Sequence, residues 1–171
     1  RDGIVVSSDN FPSSIGNVTD MELVANRLWE NYRFPVTGML NGMPDTVILL
    51  QQPVFDKSAR FVTGDHFYLE NAMEFLDKPG EFYYNKTEKM IYYYAYSEEN
   101  MAQAETFVGN IEGLIQLSGS AQSDKVRNIT FENLKFAYGA YDFASKYGYI
   151  GSQSDGLGTN YTSPDGKTGF Q

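Results

Sequence analysis

The sequence contains no cysteine and a single histidine, His66. Disulfides, thiolate nucleophiles, thiolate zinc sites and every multi-histidine metal centre are thereby excluded, and a Ser-His-Asp triad has only His66 to build on. Positive charge is scarce too: 13 Lys and Arg stand against 22 Asp and Glu, a net charge of −9. That balance repels phosphate backbones and anionic headgroups, so neither nucleic acid nor a membrane surface is an expected partner. The sequence lacks an apolar run long enough for a membrane helix, a basic-then-apolar leader, a P-loop and a dinucleotide glycine fingerprint. The missing cysteines leave the compartment open, since bacterial surface proteins and cytosolic proteins alike do without disulfides.

What the sequence does hold is aromatic surface. Its 171 residues and 19.3 kDa fit one domain, or a compact domain with part of a second, enough to bury a core without covalent staples. Aromatic residues reach 15% and charged residues only 20%, a composition that packs. Gly3 to Ser7 reads as a strand leaving into the turn residues Ser8, Asp9, Asn10 and Pro12. Between Thr19 and Leu40 two patterns compete. Met21, Val24, Ala25, Leu28, Trp29 and Tyr32 recur at helical spacing behind a Thr19/Glu22 capping box, which favours a helix over 20–31. Tyr32 to Met39 alternates instead and holds Pro35, which suits an edge strand. Thr46 to Leu50 predicts a short buried strand. Leu69, Ala72, Met73 and Leu76 sit on one helical face ahead of Pro79-Gly80 and predict a short helix over 69–77. Glu81-Phe82-Tyr83-Tyr84 and Met90 to Tyr94, joined by the polar loop Asn85 to Lys89, predict a β-hairpin.

The last third changes character. Leu114 to Gly119 reads as a short strand, and in Val126 to Phe136 the pairs Ile129/Phe131 and Leu134/Phe136 each alternate. The longer step from Phe131 to Leu134 would turn the second pair to the opposite face of a straight strand. All four point inward only if the chain bends at Glu132-Asn133, and Asn tolerates the left-handed backbone of such a corner. Short strands joined by sharp corners, coil on coil, describe a parallel β-solenoid. Arg1 to Val6 reads as mid-strand and Gly169-Phe170-Gln171 stops in mid-pattern, so a piece of a longer chain is expected.

Phe67-Tyr68-Leu69-Glu70-Asn71-Ala72, then Leu76-Asp77-Lys78-Pro79-Gly80-Glu81-Phe82-Tyr83-Tyr84, then Lys89-Met90-Ile91-Tyr92-Tyr93-Tyr94 resemble in order the YLENA…LD-PGEWY…LYY signature of right-handed parallel β-helix proteins of bacterial polysaccharide metabolism. Several of these are glycoside hydrolases. Val126 to Phe136 is similar to the VRNI-FEGL-F coil that follows there, with Asn133 where Gly is usual, and Tyr149-Ile150-Gly151-Ser152-Gln153 is similar to the next turn. Phe82 stands where that family usually has Trp. The resemblance implies a mostly β fold, with a β-rich accessory module and one short helix over residues 1–110 and the first coils of a right-handed parallel β-helix over 111–171. It also implies strands over 21–28 and 32–40, against the helical pattern. For function it implies a carbohydrate-active protein at the bacterial surface, in the periplasm or secreted. The full-length form would hydrolyse glycosidic bonds in a polysaccharide, with its catalytic carboxylates beyond Gln171 and this stretch inactive alone. The alternative is a non-catalytic module that binds sugar or serves as a surface scaffold.

The candidate sugar contacts are Trp29, Asp65, His66, Glu81 and Gln153. His66 beside Asp65 has the chemistry of an acid–base or sugar-binding residue, or else opens the short helix with Asp65 near its N-cap. Glu81 either meets ligand or holds the Pro79-Gly80 corner by accepting backbone N–H groups. Glu70 and Glu74, four residues apart, would face one another on a helix as a carboxylate pair of the kind glycosidases use, or as an incidental surface pair. The Tyr-rich hairpin offers flat rings for sugar stacking, or fills a small sheet. Asp155 to Asn160 lacks the spacing and closing Glu of an EF-hand loop, so no cofactor is expected and calcium fits only as a loose carboxylate and carbonyl site. The expected partner is a polysaccharide or oligosaccharide. The open β-helix end around Ile129, Phe131, Leu134 and Phe136 predicts self-association.

Overall fold

Apolar side chains at alternate positions of consecutive strands bury one sheet face, and in this protein the sheet curls around them. The computed structural model describes residues 2–150 apart from 13, 28, 29, 43, 58–61, 122, 141–145 and 147. The chain divides into two compact units, Arg1–Met101 with Phe143–Gln171, and Ala102–Asp142.

In the first unit the elements run β1 (Gly3–Ser7), β2 (Glu22–Arg27), β3 (Glu30–Asn41), β4 (Asp45–Leu50), α1 (Val54–Lys57), β5 (His66–Glu70), β6 (Phe82–Asn85), β7 (Met90–Tyr93) and β8 (Tyr149–Ile150). The main sheet has the order β1-β4-β3-β2-β5, with β8 also paired to β3, and each neighbouring pair is antiparallel. The described part of this unit is therefore mostly β, with α1 a single turn of α-helix. Leu23 and Ala25 of β2, Tyr32, Phe34 and Val36 of β3, and Ile48 and Leu50 of β4 are buried on the inner face. Ile4 and Val6 of β1 and Phe67 and Leu69 of β5 pack against them, and Val54 and Phe55 of α1 complete the core. Phe34 stacks on Tyr32 at 5.9 Å and meets the edge of Phe55 at 5.3 Å.

The strands implied for 21–28 and 32–40 are β2 and β3, and the helical spacing misleads for a physical reason. β2 is buried on both faces, with Val24 and Glu22 covered on the outer side, so apolar residues need not alternate. The edge placement suggested by Pro35 is corrected: β3 lies in the middle. Its first half pairs with β2 and its second with β4, and Pro35 sits at the handover, where its carbonyl accepts Gln51 N–H at 3.0 Å. Next to it the register shifts between Val36 and Gly38. The extra residue restores parity, so Val36 and Met39 both face the core.

The helix expected over 69–77 is also corrected. β5 continues through Glu70, Asn71 turns the chain with a φ of 62°, and only a 3-10 turn, Met73–Phe75, follows. Leu69 is committed to the sheet core opposite Leu23, which a helix would forbid. The hairpin forms as expected, with Asn85 opposite Met90. Gly80 precedes it at φ 94°, where a Cβ would also collide with the Tyr96 ring.

The second unit differs. Among the described residues of Ala102–Asp142 the expected strands at 114–119 and 126–136 do not form, because their backbone has no ladder partner there. The chain does return alongside itself: Ile111 and Gly139 make a parallel bridge, with Ala140 N–H donating to Ile111 O at 2.9 Å. The corner at Asn133 is present at φ 57°, and Asn128 and Tyr138 adopt the same left-handed backbone. Ile129, Phe131, Leu134 and Phe136 are exposed.

Candidate functional site

Inner-face burial leaves the alternate residues of β5, β2, β3 and β8 on the outer face, where the registers set them in rows. Asn31, Asn26 and His66 form one row, Tyr149, Arg33, Val24 and Tyr68 the next, and Pro35, Glu22 and Glu70 the third. The first row is exposed, and Asn31 Nδ2 donates to Asn26 Oδ1 at 2.7 Å, fixing the two amides against each other. Tyr68 is half exposed beside His66.

Glu22 and Glu70 stand directly opposite each other, a placement that repels two carboxylates. Arg33 resolves it by reaching diagonally into their row. It donates to Glu22 Oε2 at 2.7 Å and contacts Glu70 Oε1. Lys86 Nζ lies 3.9 Å from the other oxygen of Glu22. Burial pulls the pKa of Arg33 down, but its hydrogen bonds to Glu22 and Glu70 outweigh that and hold it above the ordinary value. Next to this cluster buried Asp20 accepts Tyr83 O–H at 2.6 Å and Lys86 N–H at 3.3 Å, while Asn17 donates to the Tyr83 oxygen at 2.8 Å. Burial raises the pKa of Tyr83, and the hydrogen bond to Asp20 raises it further. Asn71 completes the attachment of the hairpin, accepting Tyr84 N–H and donating to the carbonyls of Asp20 and Tyr84.

The sequence candidates scatter. His66 opens β5 rather than a helix and is exposed in the first row. Asp65 closes a turn, its Oδ2 accepting Val62 N–H at 2.8 Å. Glu81 holds the corner, one oxygen accepting the N–H groups of Asp77 and Lys78 at 3.0 Å each. Glu70 and Glu74 do not pair: Glu70 meets Arg33, and Glu74 accepts Gly16 N–H at 2.9 Å. Trp29 and Gln153 lie outside the described residues. On the hairpin, Tyr83 is buried and stacks on Tyr92 at 5.9 Å, whereas Phe82, Tyr84, Ile91 and Tyr93 share the opposite, exposed face. Sequence reasoning missed Asn26, Asn31, Arg33 and Tyr68, whose only signal was their parity within strands that first had to be recognised. Among the described residues no group of three His, Cys, Asp or Glu side chains is placed to hold a metal.

The carboxylates of this face are engaged by Arg33, whereas amides, an imidazole and a tyrosine ring remain at the surface, groups suited to hydroxyls and C–H faces. Residues 43–96 match the family model GH141_M, described as the GH141 insertion domain. A solved structure titled "Glycoside hydrolase" is similar in fold, with a TM-score of 0.72 at 24% identity over 85% of this chain and 27% of that one. The chain thus spans little more than a quarter of that structure's length. Among curated proteins none matches. By sequence over 43–96 and by fold over most of its length, the chain is similar to a glycoside hydrolase-related module.

Proposed function

We propose that this chain is the non-catalytic part of a carbohydrate-active protein. Residues 1–110 act as an accessory β-module that contacts a polysaccharide or oligosaccharide, and 111–171 begin a right-handed parallel β-helix. In the longer protein, exported by a bacterium, later coils hydrolyse glycosidic bonds without a cofactor. The observation that carries the reading is the division of labour on the outer face, where Arg33 occupies Glu22 and Glu70 while Asn26, Asn31, His66 and Tyr68 stay accessible. The parallel return at Ile111 and Gly139, with its left-handed corner at Asn133, supports the coil. Calorimetry and reducing-sugar assays against a panel of neutral and acidic glycans test the reading. Binding without turnover, lost in Tyr68→Ala and Asn26→Ala, is the expected result. Turnover by this chain, or no binding to any glycan, would sink it.

A further inference from the structure

We propose that Glu70 sets the specificity of the outer face: by occupying Arg33 it leaves a surface that takes neutral sugars and refuses uronates. The proposal rests on the reading that Asn26, Asn31, His66 and Tyr68 contact a glycan, and it names the class of glycan they admit.

The position of the guanidinium comes first. Arg33 shares its row with Tyr68, and Glu70 stands two residues beyond Tyr68 on the same face of β5, about 7 Å along the strand. Because Arg33 donates to Glu22 and contacts Glu70, its guanidinium lies across β2 at the margin of the surface that Tyr68 offers. Both contacts are made by Nη1, and the side chain keeps 26% of its surface in water. A guanidinium has several N–H donors, so two contacts from one nitrogen leave others for a sugar hydroxyl.

Charge then decides the class. In this cluster two cations, Arg33 and Lys86, stand against three carboxylates, Asp20, Glu22 and Glu70. The whole chain carries −9, a field that repels a polyanion before contact. A uronate seated on Tyr68 would have to take Arg33 from Glu70, a competitor tethered to the same sheet. A neutral sugar accepts a hydrogen bond from the guanidinium and displaces no carboxylate. Glu70 rather than Glu22 is the residue that decides, because the Glu22 side chain is only 6% exposed whereas that of Glu70 is 38% exposed and lies within reach of the ligand.

Oligosaccharides of glucose, mannose and galactose are each paired with the uronate of the same sugar, and binding to the full 171-residue chain is followed by calorimetry. At about 20 mM NaCl the neutral member is expected to bind at least about tenfold more tightly, with an affinity unchanged at about 500 mM. Glu70→Gln frees Arg33 toward the uronate and is expected to narrow that preference about tenfold, a gain that high salt removes. Glu70→Thr, a residue that strands favour, is the second variant should Gln disturb β5. Glu105→Gln makes the same change in net charge at an exposed carboxylate of Ala102–Asp142 and is expected to keep the wild-type preference. A wild type that binds a uronate as tightly as its neutral counterpart, an unchanged preference in both Glu70 variants, or an equal gain in Glu105→Gln would overturn the proposal. Failure to bind any of these sugars would instead sink the glycan reading itself, and this inference with it.

Discussion

Two stretches of this chain carry the same kind of pattern and meet opposite fates. Leu23 and Ala25, Phe34 and Val36, and Ile48 and Leu50 alternate on adjacent strands and are buried. Ile129 and Phe131, then Leu134 and Phe136, alternate as clearly and remain exposed. The difference lies in the backbone. The first set belongs to strands whose amides are paired on both sides, whereas the second runs through Ala102–Asp142, where the described parallel pairing is a single bridge. Alternation alone does not make a strand; the backbone also needs a partner at hydrogen-bonding distance.

The sharpest way to break the comparison is to truncate one ring in each region. Phe34→Ala removes a fully buried ring in contact with Tyr32 and Phe55 and should cost about 3–5 kcal/mol in urea unfolding. Phe131→Ala, at an exposed ring, should stay within about 0.5 kcal/mol. Equal costs would mean that 102–142 is covered in solution.

Charge distinguishes the regions next. Arg33→Ala leaves Glu22, whose side chain is only 6% exposed, without its closest cation. The expected loss is about 1–3 kcal/mol, below that of a fully buried pair because Arg33 is itself partly solvated and Lys86 remains nearby. No loss on that variant would show the cluster to be solvated.

Tyr83→Phe should cost about 1.5–3 kcal/mol by removing a hydrogen bond to buried Asp20. It also carries a pH signature. The pKa of Tyr83 is raised in the folded state, so the folded protein keeps that proton after the unfolded chain has lost it. The resulting stabilisation is complete below the unfolded value of about 10 and is lost as pH rises through the folded value. Denaturation midpoints measured from pH 8 upward should therefore fall more steeply in the wild type than in the Phe variant. The smallest effect is expected at Asn133→Gly, within about 0.5 kcal/mol, because Gly accepts the left-handed backbone that Asn133 already holds. A large shift in the amide spectrum of 129–136 would mean that the Asn side chain, and not its backbone, makes the corner.

By itself the sequence determined the elements whose cause is local. The hairpin follows from two β-prone runs around a polar loop, Glu81 at its corner from the Pro79-Gly80 turn, and the left-handed Asn133 from a break in alternation. Composition likewise limited the chemistry, since one histidine and no cysteine leave few reactive groups. Tertiary structure decided the rest. Whether 20–31 became helix or strand depended on β3 and β5 arriving on either side of β2, and Leu69 left its helical pattern because Leu23 stood opposite it. The row of Asn31, Asn26 and His66 is completed only by the register of β5, a strand distant in sequence from β2, as is the bridging of Glu22 and Glu70 by Arg33. Local propensity acts over a few residues, while strand pairing and the burial of charge depend on which segments meet, and that is settled only when the whole sheet forms.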